Sequence, residues 1–243
     1  MQHPPSQGSS GQLIVNDEVM RGRQSHAPRL KAGEQLTRDE FERRYAACPD
    51  IKKAELVNGI VRMPPPVRYE VHGKPHAAIF APILVYAAHT PGVGVADNTT
   101  VRLDADNEPQ PDVMLRIESP ALRQSVVDAD GYIQGAPELV AEVSATSASY
   151  DLGDKLRVYR RHGVREYIVW RTRERRLDWF QLVGDAYQPL SADAENVTRS
   201  RAFPGLRIAA TALLDGDLAA VMAKAHEGIG SPEHREFVAG LDG

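Results

Sequence analysis

The chain has 243 residues, 42% of them hydrophobic and 26% charged, a balance that suits a globular protein with a substantial core. A formal net charge of −4 argues against indiscriminate coating of nucleic acid, and the single Cys48 excludes an intrachain disulfide and a cysteine-built zinc site. No apolar run approaches the roughly 20 residues of a membrane span. The opening MQHPPSQGSSGQ lacks the basic start and apolar stretch of a secretory signal, so a cytoplasmic location is expected.

Residues 1–28 are polar and rich in Gln, Ser, Gly and Pro, which predicts a flexible N-terminal tail. LTRDEFERRYAAC then reads as a helix. Thr37 and Glu40 have the spacing of a capping box, Leu36 and Phe41 that of a hydrophobic staple, and Pro49 stops it near Cys48. AELV-NG-IVRM is a two-residue hairpin, because Asn58-Gly59 supplies the positive φ angles of a type I′ turn. Pro64, Pro65 and Pro66 start an extended linker.

A second helix is predicted from about Pro75, with Ile79, Ile83 and Tyr86 on one face, Pro82 as a kink and Pro91-Gly92 as its end. Strands are expected at 93–96, 100–103 and 112–117, then a loop over 118–136 and the short apolar strand PELVAEV. Residues 151–162 form a helix with Leu152, Leu156 and Tyr159 as its stripe and Gly163 at its end. With a strand at 166–170, residues 138–170 make a β-α-β crossover and so a parallel strand pair.

RLDWFQLV-GD-AYQPL is a further hairpin, and AFPGLRIAATALL an edge strand with a short helix. The sum is an α/β fold: a single domain over 29–225 with a mixed central β-sheet flanked by helices, with β-hairpins, and a loose C-terminal tail over 226–243.

One feature of this pattern is chemically odd: Glu142 sits near the end of an apolar strand. Taken singly, Glu138 and Glu142 could share a wet strand face and Asp112 could be a plain turn residue. If the strands of Asp112 and Glu142 are antiparallel neighbours, however, the two carboxylates meet at one sheet edge. Paired acids repel unless a proton or a cation lies between them, and oxygen ligands suit Mg²⁺ or Mn²⁺. Lys155, about 40–60° around the helix from Leu152 and Tyr159, can pack its stem and carry its ammonium to that edge. A serine hydrolase on Ser144 or Ser147 lacks a G-x-S-x-G elbow, and PGVG at 91–94 lacks the spacing of a phosphate loop.

PQ-PD-VMLRI, PELVAEVS and YDLGDKLRVYRRHGVREYIVW together resemble the PD-(D/E)xK nuclease superfamily, and more narrowly its bacterial restriction-endonuclease branch of Uma-two type. The resemblance runs from about Thr37 to Leu214 and takes in AELVNGIV, HGKPH and FPGL. It implies a restriction-endonuclease-like core and Mg²⁺-dependent phosphodiester hydrolysis. Asp112 and Glu142 would be metal ligands, with the carbonyl of Val143 as a third. The superfamily motif places a lysine two residues after the acid, where this chain has Ser144. The resemblance therefore implies that Lys155 serves from the helix.

Glu55 and His76 match further positions of the branch, as extra ligands, a base that positions water, or hydrogen-bond partners of the ligands. The basic stretch 155–176, with nine Lys or Arg against two Glu, offers Arg157, Arg160, Arg161, Arg171, Arg173, Arg175 and Arg176 as phosphate contacts. The expected partner is nucleic acid, DNA first, and the expected assembly is a homodimer. The competing readings are an inactive nucleic-acid-binding or assembly protein that keeps the fold, and a phosphohydrolase of small nucleotides with a closed pocket.

Overall fold

The computed structural model describes residues 27–241, so the tail expected over 1–28 lies almost wholly outside the described residues. The chain runs through α1 (Arg38–Ala46), β1 (Glu55–Val57) and β2 (Ile60–Arg62) to a π-helical turn (Tyr69–Gly73) that continues into α2 (Lys74–Ala88). Next come β3 (Val93–Asp97), β4 (Val101–Arg102), β5 (Val113–Ile117), β6 (Val126–Val127), β7 (Ile133–Gln134) and β8 (Leu139–Ser144). A helical run follows, made of α3 (Ala148–Tyr150), a second π-helical turn (Asp151–Lys155) and α4 (Leu156–Arg161). The remainder is β9 (Glu166–Arg171), β10 (Arg176–Val183), β11 (Ala186–Pro189), β12 (Val197–Arg199), β13 (Arg207–Ala209), α5 (Ala210–Asp215), α6 (Leu218–Ile229) and α7 (Pro232–Leu241).

The central sheet has six strands in the order β11-β10-β9-β8-β5-β3. It is mixed: β8 and β9 run parallel, as the crossover predicts, and the other pairs are antiparallel. Alternation along β5, β8 and β9 divides the core in two. Leu115, Leu139, Ala141 and Ile168 pack on one face with Ile79, Ile83 and Tyr86 of α2. Met114, Val140, Tyr167 and Val169 pack on the other with Val158 and Tyr159 of α4. Every residue of β8 is buried, so any charge it carries is held inside the protein.

The hairpin β1-β2 turns at Asn58 and Gly59 with φ of 53° and 73°, as a type I′ turn requires. The capping box does not form. Thr37 makes no side-chain bond to the helix, and Glu40 accepts from Arg43 and Arg44 one turn on, because two guanidinium partners outcompete a backbone N–H. The staple holds: Leu36 packs against the cluster that buries Phe41.

Three other expectations change. The loop over 118–136 contains β6 and β7, which join β4 in a small separate sheet, so residues 100–103 do not enter the central one. β13 pairs with β12 and adds no edge to the central sheet. Residues 226–241 are helical and packed, with His234 and Leu241 buried, where a loose tail was expected. The apolar residues of α6 and α7 dock beneath α2 and β13 and complete the core on that face.

Gly228 makes that docking possible. A Cβ there would lie 2.0 Å from the carbonyl oxygen of Gly205 and 3.0 Å from Cγ of Arg207. Gly228→Ala is therefore expected to lower stability by about 1–3 kcal/mol or more through overpacking against backbone. Thermal unfolding measures it, and an unchanged midpoint would mean that α6 does not seat on Gly205. Among the described residues no helix is long and apolar enough to cross a membrane.

Candidate active site

The register of β5 against β8 pairs Val113 with Ala141 and Met114 with Val140, so Asp112 and Glu142 lie opposite one another one step further on. Directly opposed residues share a face of the sheet. The antiparallel juxtaposition expected from the sequence is thus present. Asp112, Glu142 and Lys155 are only 3%, 4% and 4% exposed, and all three line one cavity of about 790 Å³. The Val143 amide donates to Asp112 Oδ2 at 2.8 Å. In an extended strand the N–H and C=O of one residue face the same neighbour, so the Val143 carbonyl is directed to the Asp112 side as well.

Lys155 reaches the acids from the second π-helical turn. Its ammonium donates to Glu142 Oε1 and to Glu55 Oε1, both at 2.8 Å. A π-turn rotates the residues it contains relative to a regular helix and is frequent at functional sites. Here it brings Asp151 and Lys155 inward together. Ser144 occupies the position where the superfamily has its lysine, and its hydroxyl donates to Asp151 Oδ2 at 2.8 Å. Ser147 donates to the same oxygen at 2.6 Å, so neither serine hydroxyl is paired with a histidine base.

The remaining predicted residues divide. Glu55 belongs to the cluster: besides Lys155 it accepts the Gln110 amide at 2.8 Å. His76 does not touch a carboxylate. Its Nε2 lies 2.9 Å from the backbone carbonyl of Asp112 and holds the start of β5 in place from α2.

Sequence reasoning passed over four neighbours. His72 Nε2 lies 3.2 Å from Asp112 Oδ2, Lys53 Nζ lies 3.3 Å from its Oδ1, Tyr159 donates to Glu142 Oε1 at 3.1 Å, and Asp151 is buried. His72 falls within HGKPH, Lys53 stands two residues before Glu55, and Asp151 and Tyr159 flank Lys155 at four residues either way. Each had a sequence signal in its spacing from a residue already singled out.

The electrostatics follow from four acids against two lysines. Burial raises the Glu142 carboxyl to about 8, since Lys155 offsets only part of that cost and Asp112, Asp151 and Glu55 add repulsion. Burial also works against Asp112, but His72, Lys53 and the Val143 amide outweigh it and hold that carboxyl well below the usual range. Lys155 loses hydration, yet Glu142, Glu55 and Asp151 more than compensate and keep it charged. The Tyr159 hydroxyl is driven up by burial and stays a neutral donor.

Most of the basic stretch is used locally. Arg157 pairs with Asp154, Arg171 with Asp178 and Glu174, Arg175 with Asp215 and Arg176 with Asp178, while Arg161 donates to Asn58. This corrects the expectation of seven arginines aimed at phosphates. Arg160 and Arg173 have no carboxylate partner among the described residues, and of these Arg173 lines the cavity.

Residues 38–212 match the Uma2 family, described as "Putative restriction endonuclease". The chain belongs to the Uma2 family. Its fold is similar to that of a crystal structure from Anabaena variabilis described as "a putative nuclease belonging to DUF820", with a TM-score of 0.54 and 12% identity. That similarity covers 78% of this chain and 99% of the other. No curated protein matches. As a Uma2 member the chain is of nuclease type.

Proposed function

We propose that this Uma2 protein is a metal-dependent endonuclease acting on DNA, with Asp112 and Glu142 as ligands of Mg²⁺ or Mn²⁺. The observation that carries the reading is the cross-strand pairing of two buried acids with Lys155 at hydrogen-bond distance from one of them. Among the described residues no three His, Cys, Asp or Glu groups form a preformed metal cage. Mg²⁺ keeps several waters and takes one or two carboxylates together with substrate phosphate, and Asp112 and Glu142 would supply those two. Within the buried cluster the carboxylates of Glu55, Asp112, Glu142 and Asp151 outnumber the ammonium groups of Lys53 and Lys155, which also fits a divalent ion. The carbonyl of Val143 is the third candidate ligand.

When bound, the ion would polarise a phosphate oxygen and lower the pKa of a coordinated water. The chain's own groups do the rest. Lys155 places positive charge where charge develops on the phosphate. Glu55 and Tyr159 orient Lys155 and Glu142, and His76 fixes the backbone at Asp112. Each chain holds one such centre. Cutting both strands of a duplex would take two, and light scattering with duplex present checks the homodimer.

Cleavage of supercoiled plasmid tests the function. Nicking is expected with Mg²⁺ or Mn²⁺, absent with EDTA, and reduced at least about 10²-fold in Asp112→Asn, the order lost with one electrostatic group of a centre. Nicking that persists in EDTA would overturn the metal dependence. A well-folded protein that binds DNA and cuts nothing with any divalent ion would favour the inactive binding protein.

A further inference from the structure

The rim of the cavity carries side chains that neither the core nor the acid cluster explains. Residues 64–70 read PPPVRYE, a proline run leading into the first π-helical turn. Pro64, Val67 and Arg68 line the cavity, and Tyr69 follows directly. Val67 is 66% exposed and Tyr69 71%, the most exposed large apolar side chains described. Consecutive prolines stiffen an extended segment, so this lip is presented with little chain entropy left to lose.

The charges around the lip point to the occupant. Arg68 and Arg173 are exposed, line the same cavity and have no carboxylate partner among the described residues. Arg62 lies over the Tyr150 ring, 5.0 Å from its centroid, on the same wall. A cationic mouth beside an exposed aromatic is how single-stranded nucleic acid is held, since every base offers a face to stack and every link a phosphate. The acids lie behind this mouth, almost fully buried. A rigid duplex presents its phosphates on a broad cylinder, whereas an unpaired strand can thread a recess.

We propose that the cavity takes an unpaired DNA segment, with a base stacked on Tyr69 and the flanking phosphates on Arg68 and Arg173. The proposal rests on the nuclease reading and names its substrate class. A duplex would be engaged only where it opens.

Fluorescence anisotropy with labelled oligothymidylate and with a blunt hairpin duplex, both in EDTA, tests it without turnover. The single strand is expected to bind at least ~10-fold more tightly than the hairpin. Tyr69→Ala is expected to weaken the single strand by ~10-fold, the order contributed by one base–aromatic stack, and to leave the hairpin unchanged. Tyr69→Phe should restore binding, and Arg68→Ala should weaken both ligands and flatten the salt dependence. Tighter hairpin binding, or a Tyr69→Ala protein with unaltered single-strand affinity, would overturn the proposal. Cleavage separates the two readings. Strand preference with no metal-dependent cutting would sink the nuclease and leave this surface standing, and cutting with no strand preference would do the reverse.

Discussion

Lys155→Met is expected to lose about 3–5 kcal/mol of stability at neutral pH, the cost of breaking a buried ion pair from one side. Methionine preserves the volume of the stem, so the loss is electrostatic. Glu142 and Glu55 are both buried and both donate nothing to one another once ionised; with the ammonium gone they face each other with Asp112 and Asp151 nearby. The variant's deficit should shrink at low pH. Removing the positive charge pushes Glu142 further up, so the folded chain holds a proton that the unfolded chain releases, and stability falls as pH rises.

Adding Glu142→Gln to Lys155→Met should recover part of the stability and none of the activity. Such recovery would assign the single variant's loss to the acid left without its counter-ion. Urea unfolding of the three proteins at acid and neutral pH measures it. A single variant as stable as the parent at neutral pH would contradict the buried cluster.

Glu142→Gln alone should act in opposite directions on activity and stability. Plasmid cleavage should fall by at least about 10²-fold, because a neutral amide is a poor metal ligand and cannot offset the ion's charge. Stability without metal should rise. A carboxyl whose folded value lies near 8, above its ordinary 4.5, withdraws stability progressively as pH climbs between those limits. The amide removes that slope, and its oxygen can still accept from Lys155 and Tyr159, while Lys155 keeps Glu55 as a counter-ion. At pH 8 the melting point is expected to increase by roughly 2–4 °C, the shift given by about 1 kcal/mol in a domain of this size. A lower melting point with unchanged cleavage would assign Glu142 a structural role.

Much of this arrangement was legible in the sequence because it follows from period and punctuation. Asn58-Gly59 dictated its turn, the helix between β8 and β9 dictated parallel pairing, and two acids at opposite ends of apolar strands dictated a meeting if those strands paired. What escaped depends on partners distant in sequence. Whether Thr37 caps its helix was decided by Arg43 and Arg44 competing for Glu40. The arginines of 155–176 look like one basic surface in sequence, but Asp154, Asp178 and Asp215 pair with Arg157, Arg171, Arg175 and Arg176 in space.

The C-terminal helices were missed for a related reason. Gly228 is where α6 approaches Gly205 closely, a contact that only the fold defines. His72 and Lys53 had a signal in their spacing from His76 and Glu55, but their charges acquire meaning only from the tertiary position of Asp112.

In the proposed centre Asp112 and Glu142 together hold one divalent ion. Titration of the purified protein with Mn²⁺, followed by electron paramagnetic resonance of the free ion, tests it without any assumption about substrate. One bound Mn²⁺ per chain, competed by Mg²⁺ and lost in both Asp112→Asn and Glu142→Gln, is the predicted result. Mn²⁺ binding that survives both substitutions would contradict it.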